Sequence, residues 1–264
     1  MNDRHADGGV LAADVGAVTG FVADTISFSS VDGPGNRFVV FLQGCNFDCV
    51  ACHNPQTIPG HASVEGHHPV HRSVNDLVGD IRRAAPFISG ITVSGGEATQ
   101  QPRFLRALFA AVRAHPQLAR LTCFVDSNGA CELSVWDDLL SDGLLDGAMI
   151  DLKCLDESIH ARMTGQPNHQ VLDSIRYLAA HGALHEVRLL VLAGVNDDPA
   201  LLRRTGEWLA AVDPTMRLKV IGFRAHGARP HDPPLVEPTR ETLEAGVDVL
   251  RSTGDFEITI VTAP

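Results

Sequence analysis

From about residue 37 onward, short apolar runs rich in β-branched residues alternate with longer segments of helical period, and this rhythm constrains the fold more than any other feature of the chain. The runs are RFVVFLQG, GITVSGG, LTCFVDS, GAMIDLK, EVRLLVLAG, RLKVIGF and FEITIV. Between them lie SVNDLVGDIRRAA, QPRFLRALFAAVRAH, LSVWDDLLSDG, NHQVLDSIRYLAAHG, DPALLRRTGEWLAAV and TRETLEAGVDVLRSTG, several of which open on a capping residue and close near Gly, His or Pro. Repeated strand-then-helix units favour parallel strands joined by right-handed crossovers. The expectation is a single α/β domain over residues 21–264, built as a partial (β/α)6 TIM-like barrel behind a flexible leader over 1–20. An open doubly wound sheet is the alternative, because period alone does not separate the two. With 264 residues, 44% of them hydrophobic, the chain has enough apolar material for one sizeable core.

Three stretches break the rhythm: the leader, the polar loop TIPGHASVEGHHPVHR, and the Pro-rich FRAHGARPHDPPLVEP before the last helix. The histidines of the first loop, His61, His67, His68 and His71, read as a solvated face rather than a metal site. A formal charge of −11 argues against binding a phosphate backbone, so nucleic acid is not an expected partner. The first residues, interrupted by Asp3, Asp7 and Asp14, do not read as a signal peptide, and no run reaches the roughly 18 apolar residues of a membrane span. A reducing, cytoplasmic setting is the default, in which clustered cysteines bind metal or carry redox chemistry more often than they form disulfides.

The cluster is FLQGCNFDCVACHNPQT, which places Cys45, Cys49 and Cys52 on one tight loop after the first strand. Thiolates favour soft metals. A structural zinc site takes four ligands, usually as two separated pairs, and the chain has no second C-x-x-C; His53 or His61 would have to complete it. An iron–sulfur cube held by three cysteines leaves one iron open to a substrate. The other cysteines, Cys123, Cys131 and Cys154, lie in or near apolar segments and read as small buried residues.

C-x3-C-x2-C after a first strand resembles the radical S-adenosylmethionine (radical SAM) enzymes, and VDGPGNRFVVFLQGCNFDCVACHNP resembles the signature of their glycyl-radical-enzyme activases, typified by pyruvate formate-lyase activating enzyme. CHNPQTI, VSGGEATQQ and DLKCLDESIH look closest to the YjjW-type subgroup, although the ferredoxin-like module many of its members carry is absent between His53 and Gly95. The resemblance implies one [4Fe-4S] cluster on Cys45, Cys49 and Cys52, with S-adenosylmethionine on the remaining iron. Gly95, Gly96 and Glu97 match the glycine-rich element beside the cofactor's amino group. Asp126, Ser127 and Met149 match ligands of a monovalent cation, Na+ or K+, near its carboxylate. Asp151 and Lys153 match ribose and carboxylate contacts, and Arg188 an arginine reaching in from strand five. Asp32 and Arg37, in DGPGNR, match the segment receiving the loop of a glycyl radical enzyme, and flavodoxin or ferredoxin is the implied electron donor to a monomer. The sequence departs from the family at Ala51, where an aromatic residue usually stacks on adenine; Phe47 is a partial substitute.

Overall fold

A computed structural model describes residues 15–60 and 67–262. Nine strands form one sheet in the order β3-β1-β2-β4-β5-β6-β7-β8-β9. Seven of them are parallel: β2 (Arg37–Leu42), β4 (Gly90–Gly95), β5 (Thr122–Ser127), β6 (Gly147–Leu152), β7 (Leu184–Val191), β8 (Arg217–Gly222) and β9 (Glu257–Val261). Helices return the chain between them: α1 (Val74–Ala84), α2 (Pro102–Ala114), α3 (Leu133–Ser141), α4 (Glu157–Thr164), α5 (His169–Ala180), α6 (Pro199–Val212) and α7 (Arg240–Arg251). The expected barrel-type α/β domain is present, and its sheet is open, with β3 and β9 as edges.

Two strands escaped the sequence reading. β1 (Thr19–Ser29) pairs antiparallel with β2 on one side and with β3 (Val70–Ser73) on the other. Of the expected leader, residues 1–14 lie outside the described residues, whereas Thr19 and Gly20 already pair with β3. Asp24, Thr25 and Ser27 interrupt β1's apolar positions, so it has no continuous apolar run. β3 is the tail of the expected polar loop, with His71 stacked on Phe21 at 4.8 Å and His67 bonded to Gln43 at 2.9 Å. His61 lies outside the described residues.

Local chemistry fixes the helix ends. Ser73 and Asp76 form a reciprocal capping box on α1, and hydrogen bonds from Ser73 hold the Asp76 carboxyl below the usual carboxylate range. Asp156, Asp198 and Thr239 cap α4, α6 and α7 through their side chains.

Strand alternation then divides the molecule into two interiors. Phe38, Val40 and Leu42, Ile91 and Val93, Cys123 and Val125, Ile150 and Leu152, Val187 and Leu189, and Leu218 and Val220 join the apolar helix faces in the main core. The intervening residues line the concave face, where Arg37 is fully buried. Its guanidinium donates to Thr92 Oγ1 at 3.1 Å, Thr122 Oγ1 at 2.6 Å and the carbonyls of Ile91 and Thr122, and it lies 4.7 Å from the Phe124 ring centroid. Asp32 offers its carbonyl to Thr92 Oγ1 at 2.7 Å. The loop of residues 30–36 therefore packs beneath the concave face, and Arg37 belongs to its floor. The expectation that Arg37 meets a partner is corrected accordingly: burial and saturated hydrogen bonding leave its head group nothing to offer.

Candidate functional site

At the C-terminal ends of the parallel strands, where βα loops of barrel-like folds build active sites, a cavity of about 320 Å³ opens. It is lined by Cys45, Cys49 and Cys52 together with Gly95, Gly96, Glu97, Asp126, Ser127, Asp151, Lys153 and Arg188. Residues from five strand ends thus meet in one place. Asp32, Arg37 and Met149 do not line it.

The cysteine loop is held by its own backbone. Gly44 N donates to Thr57 O at 2.8 Å and Cys45 N to Ile58 O at 3.0 Å, while Asp48 N and Val50 N reach the carbonyls of Thr164 and Met163 at the end of α4. Gly95 and Gly96 let the β4 loop nest against it. Gly95 has φ +122°, and a Cβ on Gly96 would stand 2.3 Å from the Gly44 carbonyl oxygen.

Glu97 fixes that junction. Its carboxylate is buried and accepts from Thr99 N at 2.9 Å, Thr99 Oγ1 at 2.7 Å, Ser127 Oγ at 2.7 Å and Asn128 N at 2.7 Å. Burial pushes its pKa up, and these four donors pull against that rise. Through these bonds Glu97 ties the β4 loop to the end of β5.

The concave wall carries a strip of alternating charge. Asp126 accepts from Ser94 Oγ at 3.1 Å and pairs with Arg188 at 2.9 Å; Arg188 pairs with Glu186 at 2.9 Å, and Glu186 with Lys219 at 3.1 Å. Beside it Lys153 pairs with Asp151 at 2.6 Å. Burial opposes the charge on Lys153, but Asp151, Cys49 and Asp126 outweigh it and raise its pKa. Burial likewise raises the Asp126 pKa against the pull of Arg188.

Ser127 Oγ donates to Glu97 and accepts from Gly129 N at 2.9 Å, and Met149 Sδ receives Arg188 Nη2 at 3.0 Å. The Arg188 guanidinium places a positive charge beside Asp126.

The donor set suits an iron–sulfur cube. All six cysteines are free, three of them line the cavity, and Phe47 N points to Cys45 Sγ at 3.4 Å. Burial pushes the Cys45 and Cys49 thiols up to about 12 and about 11, so deprotonation calls for a strongly cationic centre between them. Among the described residues no group of three or more His, Cys, Asp or Glu is placed to hold a single metal ion. A cube bridges thiolates that need not converge on one point, whereas zinc requires convergence. His53 donates Nε2 to the Arg224 carbonyl at 2.8 Å. Cys123, Cys131 and Cys154 are buried in apolar clusters, as expected.

Ala51 belongs to a small apolar cluster with Cys154, Met163, Leu192, Leu201 and Phe223 and lines the cavity. Phe47 lines the cavity but its ring is held edge-on to His160 at 5.5 Å. Several cavity residues were missed on sequence: Asn128, whose amide lies 3.8 Å from Cys45 Sγ and which reads as a turn residue before Gly129, and the apolar Met163, Leu190 and Ile221, which read as core. Arg224 lines the cavity and His226 does not. No helix among the described residues is long and apolar enough to cross a membrane.

Comparison with known proteins agrees with this geometry. The Radical SAM superfamily profile matches residues 39–204. The pyruvate formate-lyase-activating enzyme of Streptococcus mutans is 34% identical over 219 residues, 81% of either chain. A putative glycyl-radical enzyme activating enzyme of Haemophilus influenzae is 34% identical over 223 residues, 77% of this chain and 82% of that one. Among solved structures, a radical SAM methyltransferase from Sphaerobacter thermophilus shares the fold, with a TM-score of 0.63 at 15% identity over 96% of this chain and 81% of that one.

Proposed function

Because the chain belongs to the radical SAM superfamily, we propose that it activates a glycyl radical enzyme, using one [4Fe-4S] cluster and S-adenosylmethionine. The observation that carries this reading is the single cavity in which Cys45, Cys49 and Cys52 face Gly95, Gly96, Asp126, Asp151, Lys153 and Arg188. Relatives bearing activase names at 34% identity support it.

Cys45, Cys49 and Cys52 would hold the cluster, with the cofactor's amino and carboxylate groups beside it. When bound, the cluster would supply the electron for reductive cleavage of S-adenosylmethionine, chemistry that ends in removal of a hydrogen atom from a partner's backbone glycine. The chain's residues bind and orient. Gly95 and Gly96 admit the amino group close to the backbone, Lys153 and Arg188 attract the carboxylate, and Asp151 faces the ribose hydroxyls. Ser127, tied to Glu97, holds the β5 end in place. Ala51, Met163, Leu190 and Ile221 give the adenine an apolar wall. Asp32 is proposed as a contact of the partner enzyme, and flavodoxin or ferredoxin as the electron source.

The test is anaerobic reconstitution followed by iron and sulfide analysis, then electron paramagnetic resonance of a mixture with S-adenosylmethionine, reductant and a candidate glycyl radical enzyme. A glycine-centred signal is expected. A colourless, zinc-bearing protein overturns the cluster; a cluster that consumes the cofactor on a small molecule or peptide, with no glycyl signal, overturns the activase.

A further inference from the structure

The loop after β8 crosses to the cysteine loop, which follows β2 on the far side of the parallel sheet. Arg229 makes the crossing. Its Nη1 reaches Asp48 Oδ1 at 2.7 Å, its Nη2 donates to the Asp48 carbonyl at 2.7 Å, and its own backbone N donates to the Cys52 carbonyl at 3.4 Å. Nearby, the Arg224 carbonyl receives His53 Nε2. One residue thus grips both ends of the Asp48–Cys52 segment, by its side chain at Asp48 and by its backbone at Cys52, from an element that contributes no cysteine.

The pairing is lopsided. The Arg229 side chain is 31% exposed and that of Asp48 70% exposed, so water screens the carboxylate far more than the guanidinium. An exposed ion pair of this kind contributes little to global stability, which leaves position and field as its consequence.

We propose that Arg229 is a positioning residue for the cluster: it clamps the Asp48–Cys52 segment and places beside it a positive charge that the more exposed Asp48 only partly offsets, raising the cluster's reduction potential. The proposal rests on the cluster-bearing reading above, because net charge near an iron–sulfur centre is one of the levers on its potential. Clamp and field separate by substitution. Lys at 229 keeps the charge but loses the planar fork that bonds Asp48 twice.

The experiment has two arms, on Arg229→Gln, Arg229→Lys and Asp48→Asn beside the unaltered protein. In the first arm, hydrogen exchange of the metal-free chain is followed over residues 45–53; all three variants are expected to exchange faster there than the parent, and unchanged exchange overturns the clamp. In the second arm, the midpoint potential of the reconstituted cluster is titrated. Arg229→Gln is expected to lower it, Asp48→Asn to raise it, and Arg229→Lys to stay near the parent, with the shifts shrinking as salt rises. Because both Arg229→Gln and Asp48→Asn break the same contact, a purely structural role moves them in the same direction; that result, or no shift, overturns the field. Failure of the parent itself to form a cluster counts against the proposed function instead, and leaves the exchange arm to decide the clamp.

Discussion

Replacing Glu97 tests whether the cavity is a rigid assembly. Its carboxylate accepts from two backbone N–H groups, Thr99 N and Asn128 N, which it ties together across the β4 and β5 loops. The hydroxyls of Thr99 and Ser127 rotate and can find water, but the two amides cannot. Leaving a buried donor unsatisfied costs about 1–3 kcal/mol. Glu97→Ala should therefore cost roughly 2–6 kcal/mol before any cavity term, a large share of the roughly 5–15 kcal/mol that holds a typical domain. Glu97→Gln is the sharper probe. Four donors converge on the two oxygens, an arrangement that suits an ionised carboxylate, which only accepts. Turning one oxygen into an NH2 group sets donor against donor, and losing one charge-assisted bond costs about 1.5–3 kcal/mol. Urea unfolding of the metal-free chain reads both variants. If Glu97→Gln falls within about 0.5 kcal/mol of the parent, the range of an ordinary surface change, the carboxyl is protonated and the account of this junction is wrong.

Other outcomes follow from the same geometry. Gly96→Ala forces a methyl to 2.3 Å from the Gly44 carbonyl oxygen, so the β4 loop must lift off the cysteine loop; S-adenosylmethionine binding by calorimetry should weaken by at least an order of magnitude. Asp126→Ala should weaken cofactor binding while iron content stays at the parent level, because the guanidinium of Arg188 loses its anchor at 2.9 Å. That affinity should not depend on whether Na+ or K+ is present; a dependence would show that a metal cation, and not Arg188, balances Asp126. Cys49→Ala should abolish reductive cleavage of the cofactor, scored as 5′-deoxyadenosine released, because two thiolates cannot retain the cube; full release by that variant contradicts the ligand set.

Much of this arrangement was legible in the sequence, for physical reasons that also mark where legibility stops. Strands feeding a parallel sheet are apolar on both flanks, so β2, β4 and β5 announce themselves; β1 alternates Asp24, Thr25 and Ser27 with its apolar positions and hides. The cysteine loop, the glycine pair and the strand-end residues Asp126, Asp151 and Lys153 sit where local spacing puts them. Arg37 defeated the reading because burial depends on what packs around a residue: an arginine at a strand start looks exposed until Thr92, Thr122 and Phe124 from two other strands enclose it. Arg229 left no local signal, since Asp48 lies 181 positions away in the chain. The contact between the Met149 sulfur and the Arg188 guanidinium left no local signal either, since the arginine arrives from the next strand.

The packed floor under the concave face has a bearing on traffic. With Arg37, Thr92 and Met149 wedged together below the wall of alternating charges and all at most 1% exposed, the chamber is sealed from below. Approach is left to the C-terminal strand ends and the open side of the sheet, so a macromolecular visitor and the small molecule it reacts with come from the same half of the molecule.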